Sequence, residues 1–99
     1  MARRPRYSAH PDANQPDIVR ELRETMPCLI DDVSNTASTH DIEVWAYDVR
    51  LDIWRWTHWE IKTTKGKLTT AQRNRMEDWP GSVLLARSAD DILKEYGRI

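Results

Sequence analysis

Asp41-Ile42-Glu43-Val44-Trp45-Ala46-Tyr47-Asp48-Val49-Arg50-Leu51-Asp52-Ile53-Trp54-Arg55-Trp56-Thr57-His58-Trp59-Glu60-Ile61-Lys62 is the stretch that decides the fold. Aromatic and β-branched residues recur over 41–48 and 52–62 with partial alternation, which predicts two strands. The turn between them has no glycine and carries Asp48, Arg50 and Asp52 instead. If the strands form one hairpin centred between Arg50 and Leu51, residues whose numbers sum to 101 face each other. Asp41 then lies opposite Glu60, Glu43 opposite His58, Trp45 opposite Trp56 and Tyr47 opposite Trp54. All eight share a face because side chains alternate along a strand. The other face pairs Ile42 with Trp59 and Val44 with Thr57.

Opposed residues in such a hairpin have Cβ atoms about 5 Å apart. Two carboxylates that close repel, so a cation must lie between them or one must hold a proton. A divalent ion resolves the conflict simply, since Mg²⁺ takes one or two carboxylates and keeps several waters. Lys62 follows Glu60 by two residues on the same face, and its ammonium can reach the same place. Two carboxylates, a metal and a lysine suffice for phosphodiester hydrolysis. The ion activates water and neutralises phosphate charge. The lysine orients or deprotonates that water, or stabilises the developing anion. An isolated Glu-x-Lys is most often ordinary strand surface. Here it closes a strand, has an acidic partner in register, and precedes a basic loop and a helix.

Working outward, Asp12 with Gln15 has the spacing of a capping box, and Pro16 suits a first helical turn. Ile18, Val19, Leu22 and Met26 keep helical spacing, which predicts a helix over 13–25. Cys28-Leu29-Ile30 reads as a short strand, and 31–39 as a polar loop. After Lys62, residues 63–68 form a basic loop with Gly66, and Thr69 or Thr70 caps a helix over 70–79 closed by Pro80-Gly81. Val83-Leu84-Leu85-Ala86 predicts a buried strand. Ser88 and Asp91 suggest a second capping box, opening a helix that Gly97 ends. The expected order is α-β-β-β-α-β-α, an α/β fold with a four-stranded mixed sheet flanked by helices. Residues 1–11 read as a flexible basic arm and 12–99 as one domain.

The 99 residues are 39% hydrophobic and 31% charged, as in a globular protein, and no apolar run approaches the ~18 residues of a membrane helix. The basic N-terminus lacks the apolar segment of a secretory signal, and the single Cys28 suits a reducing cytoplasm. Net charge is −1, yet residues 62–75 hold Lys62, Lys65, Lys67, Arg73 and Arg75 without an acidic residue. That local patch suits phosphate binding, with loop solvation as the plainer account. No glycine-rich phosphate loop is present, which argues against a nucleotide cofactor. His10, His40 and His58 with Cys28 lack zinc-ligand spacing. His40 reads first as a solvated loop residue and second as a support for Asp41. Four tryptophans fall within 45–59. Trp45–Trp56 and Tyr47–Trp54 are expected to pack beneath the last helices, with base stacking as the alternative.

Asp41, then Glu60-Ile61-Lys62, then Lys65-Gly66-Lys67-Leu68-Thr69-Thr70-Ala71-Gln72 resembles the PD-(D/E)XK nuclease superfamily, in particular the small VRR-NUC and Holliday-junction-resolvase-like nucleases of bacteriophages. The resemblance runs from about Asp12 to Tyr96. It differs at His40, where the family has proline, and in the absence of glycine from 34–39. The resemblance implies a restriction-endonuclease-like core and Mg²⁺- or Mn²⁺-dependent cleavage of DNA, including junctions or other branched forms. It implies metal binding by Asp41, Glu60 and the Ile61 carbonyl, catalysis by Lys62, and positioning of Lys62 or the water by Gln72. Lys65, Lys67 and Arg73 would hold phosphate. Gln15 stands where the family often has an acidic or amide residue aimed at the site, and it can equally be a partner for Asp12. A homodimer would suit branched substrates by analogy, and the host cell's cytoplasm would be the location. Two other classes stay open: an inactive nucleic-acid-binding or regulatory module on this fold, and an interaction protein docking a partner on its aromatic face.

Overall fold

The computed structural model describes residues 14–34, 40–78 and 83–99. The basic arm, Asp12, most of the loop before His40 and the Pro80-Gly81 stop lie outside the described residues. The elements are α1 (Gln15–Thr25), β1 (Cys28–Asp32), β2 (Ile42–Asp48), β3 (Ile53–Ile61), α2 (Thr70–Asp78), β4 (Leu84–Ala86) and α3 (Ala89–Glu95). The sheet order is β1-β2-β3-β4, antiparallel except for the parallel β3–β4 pair. The chain is therefore α/β with a four-stranded mixed sheet, as expected.

From Ile42 to Asp48 the hairpin register is the one read from the sequence: Ile42 pairs with Trp59, Glu43 with His58, Trp45 with Trp56 and Tyr47 with Trp54. Asp41 lies before the ladder, and its N–H meets the Trp59 carbonyl instead of pairing with Glu60. The glycine-free turn works because Asp48 does two jobs. Its carboxylate accepts the Arg50 and Leu51 N–H groups at 2.9 and 3.1 Å, while Asp52 takes the left-handed conformation at φ 59°. Aspartate tolerates that conformation better than most residues. Asp48 is fully buried and also accepts from Arg55 Nε at 3.0 Å. Arg55 in turn donates to Glu95 Oε2 at 2.8 Å and lies over the Tyr96 ring. Burial pushes the Asp48 carboxyl up, but the Leu51 and Arg50 N–H groups and the Arg55 guanidinium outweigh it and hold it below its usual value.

One face of the sheet carries the core. Ile42, Val44 and Ala46 of β2 alternate inward with Trp59 and Ile61 of β3, against Ile18 and Leu22 of α1, Met26 just after it, and Ile92, Leu93 and Tyr96 at α3. Tyr96 is fully buried, its hydroxyl 2.8 Å from Thr57 Oγ1, 2.9 Å from the Val44 carbonyl and 3.0 Å from that of Arg55. Trp59 Nε1 can only donate, and it donates to Thr57 Oγ1 at 2.7 Å. The Tyr96 hydroxyl meets two carbonyls that can only accept, so its proton goes to one of them and the Thr57 hydroxyl donates to Tyr96. Gly97 ends α3 at φ 72°, with Arg98 N–H donating to the Leu93 carbonyl at 2.9 Å, a Schellman closure.

Three local expectations are corrected. The N-cap of α1 is Asn14, so Gln15 opens the helix and does not close a capping box. Ser88 caps α3 without a side-chain bond, and the Asp91 carboxylate accepts the Arg87 N–H at 2.8 Å, so the expected reciprocal box does not form. The tryptophans do not pack beneath the last helices. α1 and α3 cover the opposite face, leaving Trp54 and Trp56 48% and 43% exposed. A one-residue step in a strand reverses the face, so Trp59 enters the core while Trp54 and Trp56 turn to water.

Candidate active site

Asp41 precedes β2 and is tied to both neighbouring strands by its backbone: its N–H donates to the Trp59 carbonyl and its carbonyl accepts from Val33 N–H, both at 2.9 Å. Its carboxylate Oδ2 accepts the Ile61 N–H at 2.8 Å. That bond brings Asp41 to the strand position between Glu60 and Lys62. Ile61 pairs with Ala86 on β4, and Lys62 N–H donates to the Ala86 carbonyl at 3.0 Å. Within an extended strand the N–H and C=O of one residue point to the same neighbour. The Ile61 carbonyl therefore points to the Asp41 side, where a metal ligand would be needed. Glu60 is 5% exposed, and its Oε2 accepts from Gln72 Nε2 at 2.8 Å. Two carboxylates and a carbonyl are hard oxygen donors of the kind that suits Mg²⁺ or Mn²⁺.

Gln72 reaches Glu60, so α2 lies on the face opposite the core. The same side chain closes a capping box. Its Oε1 accepts the Thr69 N–H at 2.9 Å, while its own N–H donates to Thr69 Oγ1 at 3.1 Å. The amide donor goes to Glu60 and not to Lys62. Lys62 is half-buried, and no ion pair holds its ammonium among the described residues. Lys65, Lys67 and Arg73 are exposed along the loop and the first turn of α2. Gln15 is buried, but its amide donates to Asp32 at 3.2 Å in a cleft lined by Val19, Arg23 and Ile30, on the helix side of the sheet.

Two residues that sequence reasoning missed hold this region. Asn14 gives its two amide hydrogens to the carbonyls of Lys62 and Arg87, each at 3.0 Å, clamping the ends of β3 and β4. Arg87 donates to the carbonyls of Thr63 and Gly66, which shapes the basic loop. Neither carries a local signal, because each acts on backbone far away in sequence. A third feature lies beside the carboxylates. His40, Glu43 and His58 converge on the outer face, with His40 Nε2 and His58 Nδ1 at 3.0 and 3.3 Å from Glu43 Oε2. His40 is thus not a solvated loop residue: its side chain is 10% exposed. The register exposed the Glu43–His58 pair in advance, but not the arrival of His40. Farther along the same face, Trp45 stacks on Trp54 with ring centroids 6.1 Å apart.

No family model, curated protein or solved structure matches the chain. No helix among the described residues is long and apolar enough to cross a membrane.

Proposed function

We propose that the chain is a metal-dependent deoxyribonuclease with a restriction-endonuclease-like core of the PD-(D/E)XK kind. One observation carries this reading: the Asp41 carboxylate is anchored on the Ile61 N–H at 2.8 Å, at the strand end that presents buried Glu60 and Lys62. Asp41, Glu60 and the Ile61 carbonyl hold Mg²⁺ or Mn²⁺. The bound ion supplies an activated water and neutralises phosphate charge. Gln72 fixes one Glu60 oxygen and so sets the direction in which the carboxylate presents the other. Lys62, two residues beyond Glu60 on the same face, places its ammonium beside the attacked phosphate, where it orients the water or stabilises the anion. Lys65, Lys67 and Arg73 hold flanking phosphates.

The test is cleavage of a panel of duplex, nicked, flap, four-way-junction and single-stranded DNA, and RNA, with Mn²⁺ or with chelator. Metal-dependent cutting that Glu60→Gln abolishes supports the assignment. Wild-type protein inert on every substrate at millimolar Mn²⁺ refutes it. The exposed tryptophan face favours one second reading, a nucleic-acid-binding module with an inactive site, whose aromatics stack on bases. Salt-sensitive binding without cleavage would select it.

A further inference from the structure

We propose that His40, Glu43 and His58 bind one late first-row divalent ion of the Zn²⁺ class, at a site separate from Asp41 and Glu60. The three ligand atoms lie within 4.8 Å of one another, with the two imidazole nitrogens 3.0 and 3.3 Å from the same carboxylate oxygen. Donors about 2.0–2.1 Å from a tetrahedral ion sit roughly 3.3–3.4 Å apart. The two imidazole–carboxylate spacings already match this, and the two imidazole nitrogens close toward each other by ring rotation as the ion enters.

The backbone makes this a built arrangement. Glu43 and His58 are directly opposed in the β2–β3 ladder, and His40 enters just before β2. Ligands on paired strands hold their spacing better than ligands on loops. His58 Nδ1 is buried without a hydrogen-bond partner, although it lies 3.3 Å from Glu43 Oε2. That nitrogen is aimed into the cluster but poorly aligned for a proton, an arrangement a metal would satisfy. The His40 ring is 10% exposed, while Glu43 and His58 are 28% and 35% exposed. The cluster is therefore closed at its base and open to water above, and three protein donors leave a fourth position for a solvent molecule.

Two imidazoles and one carboxylate select Zn²⁺, Co²⁺ or Ni²⁺ over Mg²⁺, which prefers oxygen. His58 and Glu60 are two residues apart on one strand, a backbone rise of about 6.8 Å, and the two proposed donor sets share no residue. The inference therefore stands without the nuclease reading.

The test is titration of chelator-stripped full-length protein with Co²⁺, read by visible d–d absorption, followed by displacement with Zn²⁺ in a calorimeter. The expected result is one strongly absorbing, four-coordinate Co²⁺ per chain at this site, with its affinity lowered at least about tenfold in His58→Asn and in Glu43→Gln and unchanged in Glu60→Gln, whether or not a second Co²⁺ enters at Asp41 and Glu60. Metal-free melting temperatures establish that each variant folds, and His40→Asn substitutes for any that does not. Absence of d–d bands in the wild type, or equal affinity in the histidine variants, overturns the site. Loss of Co²⁺ binding in Glu60→Gln alone overturns it as well, by assigning the ion to the carboxylate pair. A chain that binds Co²⁺ here and cuts no nucleic acid upholds this site while refuting the nuclease.

Discussion

Gln72→Ala removes two side-chain hydrogen bonds: the acceptor for Thr69 N–H at 2.9 Å and the donor to Glu60 Oε2 at 2.8 Å. The first is a helix-capping bond, worth about 1 kcal/mol. The second goes to a carboxylate on a residue only 5% exposed, and bonds to charged groups are worth about 1.5–3 kcal/mol. The sum overstates the loss, because α2 is largely exposed and can lift, returning Glu60 to water. A net cost of about 2 kcal/mol follows, which for a domain of this size lowers the melting temperature by about 8–16 °C. Gln72→Glu separates the two roles. Glutamate keeps the capping box but sets a carboxylate against that of Glu60, and the pair must share a proton. The pair's proton affinity is then raised on folding, so this variant should lose stability as pH rises from 5.5 to 8. Thermal unfolding by circular dichroism at both pH values is the assay. Melting within about 2 °C of wild type for both variants at both pH values would refute the reasoning.

Lys62→Ala should fold, with stability changed by about 1 kcal/mol or less, and retain Mn²⁺ binding while cleavage falls about 10²-fold or more. Wild-type cleavage in a folded Lys62→Ala protein would count against the catalytic assignment. Alanine at Lys65, Lys67 and Arg73 together should weaken DNA binding alike for all sequences and flatten its salt dependence, as fluorescence anisotropy over a salt series would show. Tyr96→Phe leaves Thr57 without its acceptor in a sealed core and should cost about 1–3 kcal/mol in urea unfolding. Because the folded protein holds the Asp48 carboxyl below its usual 3.8, that group's contribution to stability is fully present above this value. It is lost as pH falls through the depressed value. Urea midpoints below pH 4 should therefore decline less steeply in Asp48→Asn than in wild type.

The sequence by itself determined the sheet at the centre of this protein. The alternation of Ile42, Val44 and Ala46 against Glu43, Trp45 and Tyr47 specifies both strands and their faces, because a slip of one residue would exchange core for solvent. The register followed, and with it the juxtaposition of Glu43 and His58 and the common end of Asp41 and Glu60. The helix over Ile18 and Leu22 and the Gly97 stop were legible for the same reason: their signals lie within one or two turns. What the sequence could not say was which face the helices would cover. The tryptophans were apolar enough for a core, yet α1 and α3 bury Trp59 and leave Trp54 and Trp56 in water. Nor did it reveal Asn14 holding the Lys62 and Arg87 carbonyls, Arg87 shaping the basic loop, or His40 closing on Glu43. These contacts join residues distant in sequence through side chains that could equally have faced solvent. Periodicity records only which face of an element is apolar. The partner that meets that face, and the polar groups gathered at its edges, were settled by packing the whole chain.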